Sequence, residues 1–398
     1  MQLATRLPSF EAARDSIAET LEVELTTKRV ERLAERIGGQ RVAERETDIA
    51  AWEGQPLVAK LTVPPGVKAP AVVCVSTDGG RIQRCDLPEE AKSHWCETKV
   101  GALMELEPNL HNSDPCPEVP DKFLELGRVD ELTREIKRTA PKGIVFQRAG
   151  EDQPPEEMPA PQAAPLREAV VAESPVIQSR DVVASLVDSA TFGKLLAAHA
   201  WMLGFAGALL KAFVADGQAS NWTIWERHFK HLQFIPILDF IHALTYVYSA
   251  ALAGRSTAEG WPIYVRWITW VWQGQVSRTI DELAERALEL GPAPPDASET
   301  DPREIVAGTL TYLRNQQSRM NYPEYRKLGL PLTSSPIEST VKQINYRMKG
   351  TEKFWTCGGG EALLQLRADQ LSDTAPLDVY WARRASQASG VRSYAKAA

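Results

Sequence analysis

Cysteine is scarce in this chain and follows no recognisable spacing. There are five cysteines, an odd number, and no two of them form a CxxC pair. This pattern argues against a disulfide framework and against a cysteine-rich zinc site, and it is typical of proteins in a reducing compartment.

An excess of positive charge is also missing. The 45 lysines and arginines are outnumbered by 52 aspartates and glutamates, which gives a formal net charge of -7. Without a basic field over the whole chain, any site for a polyanion must be a local patch. Residues 303–353 are one such patch, with nine Lys and Arg against four Asp and Glu.

Long apolar runs are absent as well. The longest, residues 195–210, is shorter than the roughly 18 residues that a membrane span needs, and it contains His199. The first 16 residues hold no apolar signal core. With 43% hydrophobic and 24% charged residues, the 398-residue chain is expected to be a soluble, cytoplasmic globular protein of two or three domains, or of one domain with insertions.

What is present indicates an α/β protein with interruptions. Ten of the 27 prolines lie in residues 108–165 among many acidic residues, which predicts a mostly disordered segment with one short helix at 122–137 that Asp121 caps. The predicted parts are a helical module at 1–60, a sheet-forming part at 61–106, a Pro-rich insertion or linker at 107–179, an α/β part at 180–250, an all-helical insertion at 251–329, a further helical unit at 330–372 and a tail at 373–398.

The N-terminal module is predicted to hold three helices. Apolar residues recur at helical spacing over 10–21, Thr26 or Thr27 caps a second helix, and Gly38 and Gly39 end it before a third. The second helix has a basic outer face. Two interpretations stay open: a helix-turn-helix reader of DNA, and a packing or dimerisation module with a solvated charged face.

The sheet is predicted from apolar segments that end in acidic residues. Residues 71–78 form a strand that ends at Asp78 before a Gly79-Gly80 turn, and residues 95–106 form an antiparallel partner. A helix at 185–205 precedes strands at 209–215 and 234–238, which end at Asp216 and Asp239, and helices follow each of these strands. Strand ends at one edge of an open sheet commonly hold the functional site.

The C-terminal half is predicted to be mainly helical. Its cluster of tryptophans, Trp261, Trp267, Trp270 and Trp272, is expected to lie in the core. A later helix opens with Ser335 as N-cap and Pro336 in its first turn, and places Glu338 near its start.

Three acidic residues stand out, although each has a plain explanation on its own. Asp78 and Asp216 each precede a glycine, as turn residues do. Glu338 is the fourth residue of a possible capping box that begins at Ser335. Together, two strand-end carboxylates and one on a helix form the oxygen-rich ligand set that a pair of divalent ions requires in phosphodiester chemistry.

Several ordered segments between residues 75 and 368 carry a family resemblance. The sequence resembles DDE transposases of bacterial insertion sequences, of the Kra group in the Mutator-like branch. The segments are 75–84 (VSTDGGRIQR), 95–101 (WCETKVG), 214–229 (VADGQASNWTIWERHF), 234–244 (FIPILDFIHAL), 325–355 (YRKLGLPLTSSPIESTVKQINYRMKGTEKFW) and 358–368 (GGGEALLQLRA).

The resemblance implies a catalytic site and its fold. It implies a ribonuclease-H-like mixed sheet with helices, in which Asp78, Asp216 and Glu338 are the catalytic triad and bind two Mg²⁺ or Mn²⁺ ions. Asp239 and His242 match a (Cys/Asp)-x-x-His motif of this branch and would support the site. For His242, the alternative is a helix-start histidine that is satisfied by Asp239.

The implied activity is metal-dependent hydrolysis of phosphodiesters at element ends and strand transfer into target DNA, by a homo-oligomer on the bacterial nucleoid with no membrane partner and no small-molecule substrate. DNA contacts are expected from a set of residues after Glu338. For the lysines and the arginine of this set, the alternative is a solvated surface without a DNA contact. For the aromatic residues, the alternative is packing in the interior. The set is Lys342, Arg347, Lys349, Lys353 and Trp355, with Phe354 beside it.

Two departures from the family keep other functions open. The zinc-binding cysteines that relatives commonly carry before the helices are missing, and the acidic Pro-rich segment has no counterpart in the family pattern. One alternative is a catalytically silent DNA-binding remnant or regulator of a transposase. The other is a ribonuclease-H-like nuclease that is unrelated to transposition.

Overall fold

The computed structural model describes residues 2–88, 90–91, 93–139 and 175–387. Residues 140–174, which belong to the predicted Pro-rich segment, therefore lie outside the described residues. Residues 388–398, the end of the predicted tail, lie outside them as well. Among the helices of the described ranges, none combines the length and the apolar composition that a membrane crossing requires.

Helices dominate both halves of the chain and surround one sheet. The helices are α1 (Gln2–Arg6), α2 (Phe10–Leu21), α3 (Thr27–Glu53), α4 (Leu57–Lys60), α5 (Leu126–Thr139), α6 (Ser189–Met202), α7 (Ala219–His228), α8 (Phe240–Leu252), α9 (Thr257–Trp272), α10 (Val276–Leu290), α11 (Pro302–Gln316), α12 (Tyr322–Lys327), α13 (Ser335–Met348), α14 (Cys357–Leu371) and α15 (Pro376–Ser386). The strands are β1 (Val72–Arg84), β2 (Trp95–Leu106), β3 (Ile177–Ser185), β4 (Leu210–Ala215), β5 (Ile235–Leu238) and β6 (Phe354–Trp355).

The sheet is mixed, which confirms the α/β class. Its order is β3-β2-β1-β4-β5, and β6 also pairs with β1. The pairs β1–β2 and β2–β3 are antiparallel, as predicted for the first of them, whereas β4, β5 and β6 join in parallel. The predicted strands at 209–215 and 234–238 are confirmed as β4 and β5.

Two predicted boundaries in the sheet are wrong. Gly79 and Gly80 do not form a turn, because they pair with Lys99 and Thr98 and β1 continues to Arg84. Residues 177–185 form β3, so the helix predicted from 185 begins only at Ser189.

The second of the predicted N-terminal helices is longer than expected and includes the third. Gly38 and Gly39 do not end the second helix, because α3 runs unbroken from Thr27 to Glu53. A Cβ atom on Gly38 would lie 2.3 Å from the carbonyl oxygen of Ala362 in α14, so glycine permits a close crossing of two helices. The two short helices of the helix-turn-helix interpretation are thus replaced by a short and a 27-residue helix.

Parts of the predicted insertion and tail are folded. Val119, Phe123 and Val129 of the Pro-rich segment are buried in the main hydrophobic core. Asp121 begins a 3₁₀ turn rather than capping α5. In the predicted tail, Leu377 of α15 is buried among the N-terminal helices.

The helical structure predicted for residues 251–329 is confirmed by α9 to α12; that this stretch is an insertion stays a prediction. Trp267 and Trp272 are almost fully buried, and Trp261 and Trp270 pack against the same core while partly exposed. The predicted core role of the four tryptophans is therefore confirmed.

Candidate functional site

The register of the parallel strands brings three aspartates to one line across the sheet. Ser76 of β1 pairs with Val214 of β4, so continuing the register by two residues sets Asp78 opposite Asp216. Ala215 of β4 pairs with Leu238 of β5, and the next residues are Asp216 and Asp239. Asp78 lies within β1 rather than at its end, because β2 extends the ladder beyond this line.

Glu338 reaches this line from α13, whose start is held by the sheet. The backbone N–H of Ser334 donates to Asp239 Oδ2 at 2.7 Å, and the Ser334 hydroxyl donates to the same oxygen. Ser334, not Ser335, occupies the N-cap position, and it makes no side-chain bond to the helix backbone. The predicted capping box is therefore absent, and the Ser334 hydroxyl lies 3.4 Å from Glu338 Oε1.

The acidic side chains share one electrostatic environment. Burial, followed by the negative charges of Asp216 and Glu338, raises the pKa of Asp78 to about 7, although the N–H of Gly79 donates to its Oδ1 at 2.6 Å. His242 is the positive group that acts against this shift. Asp216 and Glu338 therefore both lie close enough to Asp78 for their charges to disfavour its ionisation.

A tighter group of potential ligands lies on one side of this cluster. One potential ligand atom from each of Asp239, His242 and Glu338 lies within 4.8 Å of the other two. Among the described residues, this is the group of three potential metal ligands that meets this limit. Asp78 and Asp216 are not within this limit of the set. Glu338 thus belongs both to the predicted triad and to the group around His242.

Asp239 and His242 act on each other directly. Burial would raise the pKa of Asp239, but His242 and Ser334 outweigh it and lower the pKa. Burial would lower the pKa of His242, but Asp239, then Asp216 and Glu338, raise it to about 10. The two side chains approach to 3.6 Å between His242 Nδ1 and Asp239 Oδ2. The surrounding acids therefore favour the protonated form of His242, although its Nδ1 makes no hydrogen bond in the described part of the chain.

Asp239 is already saturated with hydrogen bonds. Its Oδ1 accepts from the N–H groups of Ile241 and His242, at 2.6 and 3.3 Å, while its Oδ2 accepts both bonds from Ser334. The residue is fully buried. We conclude that Asp239 orients α8 and α13 and leaves metal binding to less occupied carboxylates.

Asp216 is held by residues that the sequence did not single out. Its Oδ1 accepts from the N–H of Gln218 at 2.9 Å and from the amide of Asn221 at 3.0 Å. The hydroxyl of Tyr312 donates to the backbone carbonyl of Asp216 at 2.9 Å, and Gln316 Nε2 donates to that of Gly217 at 3.1 Å. The spacing of four residues between Tyr312 and Gln316 on α11 was the available signal, because it places both on one helix face.

Arg347 and Trp355 of the predicted DNA-binding set are interior residues, which corrects the predicted DNA contact of Arg347 and agrees with the packing alternative for Trp355. Arg347 is 1% exposed, its Nε donates to the carbonyl of Ala4 at 2.9 Å, and its guanidinium lies 4.4 Å from the ring centre of Phe10. Trp355 is 9% exposed and donates to the carbonyl of Met348. Both join the N-terminal helices to α13 and are unavailable to a DNA duplex.

The lysines of this set differ in their surroundings. Lys342 is exposed and pairs with Glu135. Lys349 is exposed, with its Nζ 5.6 Å from the ring centre of Trp95. Lys353 is half-buried and donates to the carbonyls of Tyr346 and Arg347 at the end of α13. Phe354 is 48% exposed. DNA contact by Lys342, Lys349 and Lys353 stays a prediction.

No protein-family model and no curated protein matches the chain. The arrangement of the residues is therefore the basis on which we assign a function.

Proposed function

We propose that this chain is a DDE transposase that hydrolyses phosphodiesters at the ends of its element and joins them to target DNA. The observation that supports the proposal most strongly is the line formed by Asp78 and Asp216 in the strand register, with Glu338 close enough to affect the pKa of Asp78. The three acids lie far apart in the sequence. Their convergence is what the family resemblance requires, and the mixed sheet with its helices supports a ribonuclease-H-like core.

The residues of the cluster fit divalent cations. Asp78, Asp216 and Glu338 supply carboxylate oxygens, the donor type that Mg²⁺ and Mn²⁺ prefer. Burial, and then the negative charges of Asp216 and Glu338, raise the pKa of Asp78; a bound cation would offset these charges. Asp78, Asp216 and Glu338 would hold the ions, which when bound supply activation of the attacking hydroxyl and stabilisation of the leaving oxygen.

The protein's own residues prepare this chemistry by fixing the acids in place. Gln218 and Asn221 orient the Asp216 carboxylate, and Asp239 with Ser334 sets the start of the helix that carries Glu338. Asp239, Asp216 and Glu338 favour protonation of His242, which would offset part of their charge. Such preorganisation removes the need to move these groups when the substrate binds.

The proposed substrate is DNA, and the proposed assembly is a homo-oligomer on the nucleoid, because two element ends must be brought together. Exposed Lys342 lies in α13 and exposed Lys349 directly follows that helix, both C-terminal to Glu338. Neutralisation of phosphates by such lysines would give sequence-independent affinity that falls as salt increases.

The deciding experiment uses the purified chain and linear DNA that carries the gene with its native flanks. Incubation with Mg²⁺, and not with EDTA, is expected to give strand breaks at the element ends and joined products with a target plasmid. Cleavage without joining would favour the unrelated nuclease instead. DNA binding without breaks in Mg²⁺ or Mn²⁺ would favour the silent remnant and contradict the proposal.

A further inference from the structure

A cleft next to Asp216 is not used by the proposed metal chemistry. It has a volume of about 450 Å³, and Gly217 forms part of its lining. One wall comes from α7 and the turn after it, and the other from α11 and the 3₁₀ turn at Gln317–Arg319. We refer to it as the Trp222 cleft. Its size falls in the range of pockets for small molecules and single nucleotides.

Close packing and hydrogen bonds fix the floor of the Trp222 cleft. Gly217 has φ of +95°, and a Cβ atom there would lie 2.8 Å from the hydroxyl of Tyr312. Gln316 donates to the carbonyl of Gly217, and Tyr312 donates to that of Asp216. The same bonds that fix Asp216 therefore fix the cleft, and the cleft begins one residue away from a proposed catalytic carboxylate.

The walls offer flat, polarisable surfaces and hydrogen-bonding groups. The guanidinium of Arg319 lies 4.4 Å from the ring centre of Trp222, and Lys230 lies 5.6 Å from that of Trp225. Arg319 is held in this orientation because its Nη1 donates to the carbonyl of Asn315 and to Gln316 Oε1. Guanidinium and indole planes of this kind stack on nucleobases.

The indole N–H of Trp222 has no hydrogen-bond acceptor among the described residues. The Trp222 side chain is 7% exposed, and its Nε1 is buried. A buried indole N–H normally has a partner.

We propose that the Trp222 cleft binds one unpaired nucleotide of the DNA strand whose phosphate lies at the carboxylate cluster. The inference rests on the proposed function for the identity of the polymer. A paired base cannot enter a cleft of this size, so the nucleotide must leave the duplex, at a cost that stacking against Arg319 offsets. The amide of the exposed Asn315 is suited to the hydrogen-bonding edge of a base.

The test compares two fluorescent duplexes in EDTA, so that no cleavage interferes. One is fully paired, and the other has the same sequence with a single bulged 2-aminopurine nucleotide. The wild-type chain is expected to bind the bulged duplex about ten-fold more tightly and to quench the 2-aminopurine fluorescence. Equal affinity for both duplexes, or no binding to either, would overturn the proposal.

Variants assign the preference to the cleft. Arg319→Ala and the exposed Asn315→Ala remove cleft groups, whereas Arg314→Ala removes an exposed arginine of the same helix that does not line the cleft. Loss of the preference in either cleft variant, with affinity for the paired duplex unchanged and Arg314→Ala unaffected, supports the proposal. Retention in both cleft variants, or an equal loss in Arg314→Ala, overturns it.

Metal-dependent cleavage by the wild-type chain is measured separately. Cleavage without any bulge preference would leave the transposase proposal standing and remove the nucleotide site. A bulge preference that depends on the cleft, without cleavage, would support the nucleotide site and contradict the transposase proposal.

Discussion

Ser334 donates two hydrogen bonds to the buried carboxylate of Asp239, one from its backbone N–H at 2.7 Å and one from its hydroxyl. Through this contact the residue before α13 is tied to the residue after β5, although 95 positions separate them in the sequence. The position of Glu338, four residues after Ser334, is therefore set by the sheet and not by its own helix cap.

Ser334→Ala is expected to loosen this connection. The variant loses a hydrogen bond to a charged group and leaves Asp239 buried with one acceptor site unfilled, so we expect the free energy of unfolding to fall by about 2 kcal/mol. Urea denaturation measures the change, with Ser277→Ala on the exposed face of α10 as the control. Equal stability of the two variants would show that the hydroxyl contact contributes little.

Asp78→Asn is expected to separate metal binding from folding. The amide removes negative charge from the neighbourhood of Asp216 and Glu338, so the metal-free variant should melt at the same temperature as the wild-type chain or above it. Mg²⁺ should raise the melting temperature of the wild-type chain and of the exposed control Asp296→Asn, but not that of Asp78→Asn. A thermal shift assay with and without Mg²⁺ measures this. An equal shift in all three would place the ions elsewhere.

A second buried carboxylate, outside the candidate site, predicts how stability depends on pH. Asp181 is 2% exposed and accepts hydrogen bonds from His199 at 2.9 Å and from the hydroxyl of Thr374. Burial would raise its pKa, but His199 and Thr374 lower it below the ordinary value. Because the folded-state pKa lies below the unfolded one, this contribution is complete above about pH 4 and is lost as the pH falls through the folded-state value.

Asp181→Asn should therefore lower the free energy of unfolding at pH 7 by about 2 kcal/mol. The difference in unfolding free energy between the variant and the wild-type chain should become smaller below pH 4. Denaturation curves at pH 7, 5 and 3 measure the trend, with the exposed Asp281→Asn as control. A deficit that stays constant across this range would contradict the assigned role of the charge.

The same carboxylate explains why β3 was not predicted. Local patterning finds a strand from its apolar residues, as it did for β2 and β4, but in β3 a buried aspartate interrupts the apolar run. The partners that make this burial tolerable, His199 and Thr374, are 18 and 193 residues away. A strand whose polar residue is satisfied from a distance cannot be recognised from its own sequence.

Long-range contacts also explain why the burial of Arg347 was not predicted. Arg347 was expected on the surface because arginine is rarely buried without partners, yet the carbonyl of Ala4 and the ring of Phe10 provide them from the opposite end of the chain. The three predicted acids, in contrast, were found in sequence because each follows or lies in a recognisable local element. Their approach to one another depends on strand order and register, which the sequence alone did not determine.

Gly80 and Gly79 offer a direct test of whether the approach of α13 to β1 matters. A Cβ atom on Gly80 would lie 2.7 Å from Thr98 Oγ1 and 3.0 Å from Asn345 Oδ1, whereas one on Gly79 would meet nothing closer than 3.6 Å. Asn345 lies seven residues, about two turns, after Glu338 on the same face of α13.

Gly80→Ala should therefore push α13 away from the sheet and withdraw Glu338 from Asp78. Overpacking of this kind costs about 1–3 kcal/mol, and cleavage should fall by more than the loss of folded protein explains. Gly79→Ala, one residue away in the same strand, should keep both stability and cleavage. Urea denaturation and the cleavage assay on the same preparations measure the two effects. If Gly80→Ala cleaves as well as Gly79→Ala, the close approach of Glu338 to β1 is not what the reaction depends on.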